Sequence, residues 1–441
     1  MRVCLFEDQD VSNLEPLVLT RPVFELLCGQ DSLRRKQCRT FRSQEVGALI
    51  RPYLAPLYRL QQPDILVNDL AWLQAEATIL VNARWLPPTS LTTRARSVSA
   101  EKTRETLATL DGACVAMIGD EVAYAVVDAE HLAGCAPDTL ADCLESWKNS
   151  LPRRPAGGWL IHYLWDLIER NAEQLVGDYQ FTVTGQPPRH LEATPALIGP
   201  ADCLLVEPTA QLDPMIVADT TRGPVVIDRE AVITAFSRLE GPCYIGPRSQ
   251  VLGAKIRGGT TLGPDCRIGG EVEASIIHGN TNKYHDGFLG HSYVGEWVNI
   301  GAGTQSSDLR NDYGEVTVTV TGRPVATGLS KVGCFLGDHT KTGLGVLLNT
   351  GTSAGVFCNL LPCGKLLPKH LPSFSIFWND RSVANNDLLG LLQTAREVMR
   401  RRGATLTEVH ADLFRHLFDQ SAAERERVLR KGEQRQLRKS A

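Results

Sequence analysis

Two hydrophobic textures divide the chain. Up to about residue 190, short runs rich in Val, Ile and Leu alternate with stretches of helical spacing. RVCLF at 2–6, ATILVNARWL at 77–86, CVAMIG at 114–119 and VAYAVVD at 122–128 read as strands. TRETLATL at 103–110 and GWLIHYLWDLIERNAEQL at 158–175 read as helices, the second with apolar residues at 160, 161, 164, 165, 167 and 168. Alternating elements of this kind predict a layered α/β domain.

From about residue 195 the pattern changes. Gly, Pro and single aliphatics take over, and the aliphatics recur close to every sixth residue: Ile227, Ile233, Leu239, Ile245, Val251, Ile256, Leu262 and Ile268. Six is too long a period for a helix face and too regular for sandwich strands. It is the period of hexapeptide β-helix repeats, in which three hexads close one triangular coil and each coil rests on the next. The aliphatic points into the prism, and a small residue follows where the chain turns. Two insertions, at roughly 273–292 and 305–331, interrupt the period. It resumes at Val294 and Ile300, and again at Val332, Leu344 and Val356. Repeat proteins carry insertions on one face, often the binding face.

Past Pro372 the repeats stop. DLLGLLQTAREVMRRRG predicts an amphipathic helix closed by glycine. TLTEVHADLFRHLFDQ and SAAERERVLRKGEQRQLRK follow as helices of growing charge, the last a solvated, fraying one. The reading divides the chain into an α/β domain at 1–195, a β-helix at 196–380 and a helical tail at 381–441.

Composition narrows the class. Hydrophobic residues make up 43% of the 441 and charged residues 22%, which is ordinary for a globular protein. A net charge of -4 gives no broad basic surface for nucleic acid. The opening MRVCLFEDQDVSNLEPL does not read as a signal peptide, and no apolar run approaches a membrane span. Twelve cysteines are scattered with no CxxC pair, which argues against a zinc ribbon and for reduced thiols in a cytoplasmic protein.

The stretch HDGFLGHSYVGEWVNIGAGT at 285–304 carries the chemistry. His285 followed by NIGAGT at 299–304 resembles the acetyltransferase half of the bifunctional N-acetylglucosamine-1-phosphate uridyltransferase/glucosamine-1-phosphate acetyltransferase enzymes. LEPLVLTRPVFELLCGQDSLRRK, LVNARWLPP, HYLWDLIERN, GDHTKTGLGVLLNTGT and AREVMRRRGATLTE extend the resemblance over nearly the whole chain, to a divergent GlmU-like branch of sugar nucleotidyltransferases.

The resemblance implies a nucleotidyltransferase-like, Rossmann-like α/β domain followed by a left-handed parallel β-helix and C-terminal helices. It implies acetyl-CoA as cosubstrate, an amino-sugar phosphate or nucleotide amino sugar as acceptor, a homotrimer, and a place in UDP-N-acetylglucosamine biosynthesis for the cell envelope. His285 matches the general base that takes a proton from the sugar amine, a role suited to imidazole. Asn299 matches a sugar contact. Ala302 matches the small residue whose backbone faces the acyl group. Arg257 matches a phosphate-binding arginine, and Lys283 is a second cation nearby. The sequence itself leaves open whether Asp286 or Asp308 orients the imidazole.

Four departures qualify this. Ser275 stands where the family has a phosphate-binding lysine, and Phe288 where it has a tyrosine. The first half lacks the family's glycine-rich GxG loop and keeps Arg21 and Lys36 as phosphate-neutralising cations. Asn82 and Arg84 stand where the family has a magnesium aspartate, leaving Glu7 or Asp8 as the substitutes for a Mg2+ site. Two other classes stay open: a non-catalytic sugar-nucleotide-binding or regulatory trimer, and a trimerisation stalk. A zinc site built from His285, His291 and His339 is a lesser alternative, because the His285–His291 spacing departs from that of trimeric β-helix carbonic anhydrases.

Overall fold

The computed structural model describes residues 2–89, 112–183, 195–379, 381–384 and 387–430. The TRETLATL segment and the basic stretch beyond 430 lie outside the described residues.

The first strand, Arg2–Phe6, pairs in parallel with Glu45–Leu49 on one side and Thr78–Asn82 on the other. Thr78–Asn82 then pairs antiparallel with Glu121–Val127, which turns back onto Cys114–Ile118. The seven-stranded mixed sheet that results is covered on both faces. Strand alternation sends Val3 and Leu5 into one cluster and Cys4 and Phe6 into another. The second helix begins later than the apolar spacing predicts, at Leu164, and runs to Val183. Gly157 and Gly158 both sit at positive φ, and Trp159–Leu160 forms a short strand. The Asp166 carboxylate then accepts the N–H groups of His162 and Tyr163, which fixes the helix start.

From Ala196 to Trp378 the chain is a left-handed parallel β-helix of three sheets. Equivalent residues of successive coils stack: Leu239 on Ile256, Ile256 on Val272 and Val272 on Leu289 in one column, Ile245 on Leu262, Ile277 and Val294 in another. All the hexad aliphatics from Ile227 to Ile268 are fully buried. Burying one such side chain stabilises by about 1.5–3 kcal/mol, so the hexad pattern alone makes the prism a continuous core.

Three later expectations are corrected. The segment 273–292 is not an insertion. Its strands Ile276–Gly279, Asn282–Lys283 and Phe288–Gly290 continue the three sheets in register. The period breaks there because Lys283 stands at the interior position above Ile268. Leu344 is 82% exposed at a Gly-bounded turn, and Val346 and Leu348 fill the prism instead. Val332 and Val356 are buried, but outside the prism, in the cluster shared with the first half. The second interruption is a true excursion: Thr317–Val320 and Arg323–Ala326 form an antiparallel hairpin.

The C-terminal helices fold back. Asp387 caps Leu388–Arg400 and Thr407 caps Glu408–Gln420. Tyr53 stacks on His416 at 4.6 Å, and Leu413, Phe414 and Leu417 join the cluster that holds Val3 and Leu5. A further helical segment covers 422–430. No described helix is long and apolar enough to cross a membrane. All twelve cysteines are free; eight are buried, and Cys363 is exposed.

Candidate functional site

The corner between the Asn282–Lys283 strand and the Phe288–Gly290 strand holds His285. Asn282 bridges to Asn299 of the next coil, 17 residues on, and their side chains bond at 3.0 Å. That register stacks His285 under Ala302, and the Asp286 carbonyl accepts the Gly303 N–H at 2.8 Å. Coils of this kind are about 4.8 Å apart, so the imidazole and the GAGT turn belong to one small surface. The turn below needs glycine at 287: φ is +140°, and a Cβ there would lie 2.1 Å from the Thr304 carbonyl oxygen.

His285 is exposed, with its ring 5.1 Å from that of Tyr284. Neither expected acid touches it. Asp308 instead pairs with His291, Oδ2 to Nδ1 at 2.7 Å, and no described side chain hydrogen-bonds the His285 ring. The Ala302 carbonyl accepts from Gly345, while its N–H has no acceptor among the described residues.

Lys283 does not face outward. It is 1% exposed inside the prism, and its Nζ donates to the Gly269 carbonyl at 2.7 Å and the His285 carbonyl at 3.2 Å. Burial pushes its pKa down to about 8, against the opposing pull of Asp286. It thus reaches the His285 corner through the backbone. Arg257 stays half-exposed and bonds Glu271 at 2.7 Å. Ser275 is fully buried, donating to the Glu273 carbonyl and accepting the Ser292 N–H. Histidines do not gather as a zinc site would require: among the described residues, the metal-capable groups that converge are Asp8, Asp10 and Glu121.

The first-half cations are drawn into pairs. Lys36 is fully buried and meets Asp178 at 2.5 Å, with Arg39 on the other Asp178 oxygen at 2.9 Å. Arg21 crosses to the β-helix, where Nη2 bonds Asp338 at 2.5 Å and lies 3.3 Å from Glu296. Glu296 also faces His278 at 3.2 Å. Burial would raise the Glu296 pKa, but Arg21 and the His278 hydrogen bond bring it down to about 2. Arg21, Glu296, Asp338, His339 and His410 line a cavity of about 330 Å³ between the three parts of the chain. The sequence reading missed this junction. The only signal was Asp338 within the GDHT stretch, which nothing local marks as the partner of a residue near the other end of the chain.

Glu7 is engaged by Arg51 at 3.0 Å. Asp8, Asp10 and Glu121 offer carboxylate oxygens within 4.8 Å of one another, the hard-donor set that Mg2+ takes. Arg84 Nη2 already sits among them, 2.7 Å from Asp8, 2.7 Å from Glu121 and 3.3 Å from Asp10. As arranged, the cluster does not fit the ion.

A mixed sheet covered by helices and a parallel β-helix thus follow one another in a single chain. Residues 3–186 match the family model described as sugar nucleotidyl transferase. A bifunctional sugar-1-phosphate nucleotidylyltransferase/acetyltransferase of Sulfurisphaera tokodaii is 35% identical over 149 residues, 32% of this chain and 36% of that protein. A bifunctional protein GlmU of Methanococcus vannielii is 36% identical over 114 residues, 25% of this chain and 26% of that one. A solved UDP-N-acetylglucosamine acyltransferase aligns at 12% identity over 40% of this chain and 70% of its own, with a TM-score of 0.20. The matched part thus spans about a third or less of the curated relatives' own length. Residues 3–186 are thus similar to sugar nucleotidyl transferases, and parts of the chain are similar to bifunctional GlmU proteins.

Proposed function

We infer that the protein is an acetyl-CoA-dependent N-acetyltransferase acting on an amino-sugar phosphate or a nucleotide amino sugar. The observation that carries this is the stacking of His285 under Ala302, one coil apart, with the Ala302 N–H free of any described acceptor. In this reading His285 takes the proton of the sugar amine as its nitrogen attacks the thioester carbonyl carbon. The carbonyl oxygen gains charge and the Ala302 N–H donates to it. The carbon–sulfur bond then breaks, and the proton passes to the departing CoA thiolate. Asn299 holds the sugar from the adjoining position, and Lys283 fixes the corner by bonding the His285 carbonyl. Arg257 reaches the phosphate by leaving Glu271, which is half-buried beside it.

The acyl-CoA groove of such a prism lies between neighbouring copies, so the working form in this reading is a homotrimer in the cytoplasm. The first half, as a sugar nucleotidyl transferase family domain, holds the sugar end of a substrate or effector. Its part in UDP-N-acetylglucosamine or related sugar-nucleotide synthesis belongs to the same proposal. The pairing of Arg21 and Lys36 with internal acids favours binding over nucleotidyl transfer there, which keeps a sugar-nucleotide-binding protein as the second reading.

The test is CoA release from acetyl-CoA with a panel of amino-sugar 1-phosphates and nucleotide amino sugars, for the wild type and His285→Ala. Turnover that falls by about 10²–10⁴-fold in the variant is the expected result. No turnover with any acceptor, or an unaffected variant, moves the conclusion to the binding protein.

A further inference from the structure

Arg84 is fully buried at the end of the Thr78–Asn82 strand, yet it carries its charge into a nest of acids. Its Nε lies 2.9 and 3.0 Å from the two Asp8 oxygens. Its Nη2 reaches Asp8 and Glu121 at 2.7 Å each and Asp10 at 3.3 Å. Its Nη1 turns the other way, donating to the Ile161 carbonyl and facing His162 Nδ1, both at 3.2 Å. Asn82 braces the fork from behind: its Oδ1 accepts the Arg84 N–H at 2.9 Å and its Nδ2 donates to Asp8 at 2.8 Å. Every edge of the guanidinium is thereby fixed, which a flexible surface arginine does not achieve.

A divalent ion bound by these acids would need their oxygens at about 2.1 Å from one point. That point is taken by a nitrogen whose own bonds to the same three oxygens are already of ordinary length. The guanidinium excludes the ion by volume and by charge.

We propose that Arg84 is a resident cation that replaces a divalent metal, so that the first-half site receives its ligand without one. The charge count says what that ligand is. One arginine faces three carboxylates, so the cluster keeps an excess of negative charge. Asp10 and Glu121 are the half-exposed edge that an incoming molecule meets. Arg51 is likewise taken up by Glu7, and Lys36 by Asp178. A nucleoside triphosphate would meet repulsion with no metal to relieve it. A neutral or aminated sugar ring, whose hydroxyls and ammonium donate to carboxylates, is the class that fits.

Manganese titration of the full chain, followed by the loss of the free-ion EPR signal, tests this without any assay of activity. Wild type should leave the signal unchanged at equimolar ion. Arg84→Ala should take up one equivalent, with affinity at least about tenfold above wild type, and adding Asp8→Asn should abolish it. Equilibrium dialysis of UTP should show no gain in retention on adding Mg2+, while glucosamine is retained less by Asp10→Asn. Manganese uptake by the wild type that Asp10→Asn removes, or Mg2+-dependent UTP retention, overturns the proposal. Both readings use the wild type, so they decide even if Arg84→Ala does not fold. Neither depends on acetyl transfer at His285.

Discussion

Arg21 and Asp338 stand 317 positions apart in the chain, and their Nη2 and Oδ2 atoms meet at 2.5 Å in a junction almost closed to solvent. Arg21 also donates to the Leu17 carbonyl, and Asp338 also accepts from Thr20 and from the Glu296 N–H. The pair therefore ties the loop after the first strand to two coils of the β-helix. Removing one member of a buried, hydrogen-bonded pair strands the other, which costs about 3–5 kcal/mol. Arg21→Ala should lose that much in urea unfolding. A loss under about 1 kcal/mol would show that the junction is ornamental.

Lys283 gives a pH signature. Its folded pKa is pushed down to about 8 from an ordinary value of 10.5. Between those values the unfolded chain keeps a proton that the folded chain has released. Stability therefore rises with pH across that window, and the penalty of burying the charge is fully present below about 8. Lys341 is lowered in the same way and adds a parallel rise. Lys283→Met puts an apolar chain back at the interior position and leaves the Gly269 and His285 carbonyls unbonded, at about 1 kcal/mol each. The variant should gain less stability than wild type between pH 7.5 and 9.5, measured by urea unfolding at both. Identical gains in the two proteins would refute the assignment.

The sequence leaves either Asp286 or Asp308 to orient His285, and the structure gives Asp308 to another histidine. Asp308 bonds His291 at 2.7 Å, and both side chains are largely covered. Asp308→Asn should therefore cost about 1 kcal/mol of stability and leave CoA release within a few-fold of wild type. His285→Ala should do the reverse, folding normally and losing turnover. A collapse of turnover in Asp308→Asn as deep as that in His285→Ala would mean that the acid acts at the proposed His285 site.

These cases show what a single sequence carries. The hexad aliphatics announce the prism because each column position repeats the same local demand, an apolar side chain pointing inward every sixth residue. The β-strands of the first half are legible for the same reason. Lys283 breaks the rule from inside, and a period-based reading sees only a gap where the structure has a filled position. Leu344 fails the opposite way: it keeps the spacing but stands at a turn where Gly343 and Gly345 leave it in solvent. The acidic partners of Arg21, Lys36 and Arg84 lie between 37 and 317 positions away, and nothing in their own neighbourhoods names them. Cations that look like phosphate ligands in a motif can equally be counter-ions for distant acids, and only the fold tells the two apart.

Two glycines of the β-helix separate close packing from backbone conformation, and the difference is measurable. At Gly263 a Cβ would lie 1.8 Å from the His278 carbonyl oxygen and 2.6 Å from its carbon, both backbone atoms of the next coil. Neither can move without shifting the coil, which also carries the His278–Glu296 contact. At Gly345 a Cβ would meet nothing within 4 Å, and the only cost comes from a φ of +62°. Left-handed backbone costs an L-residue about 1–2 kcal/mol. An overpacked site with no room to relax costs about 3 kcal/mol. Gly263→Ala should therefore lower stability more than Gly345→Ala, and its damage should spread to the junction through His278. Combining Gly263→Ala with Arg21→Ala tests that spread, because sites that share a contact network do not add. A double variant whose loss equals the sum of the single losses would show that the coil stacking and the Arg21 junction are independent.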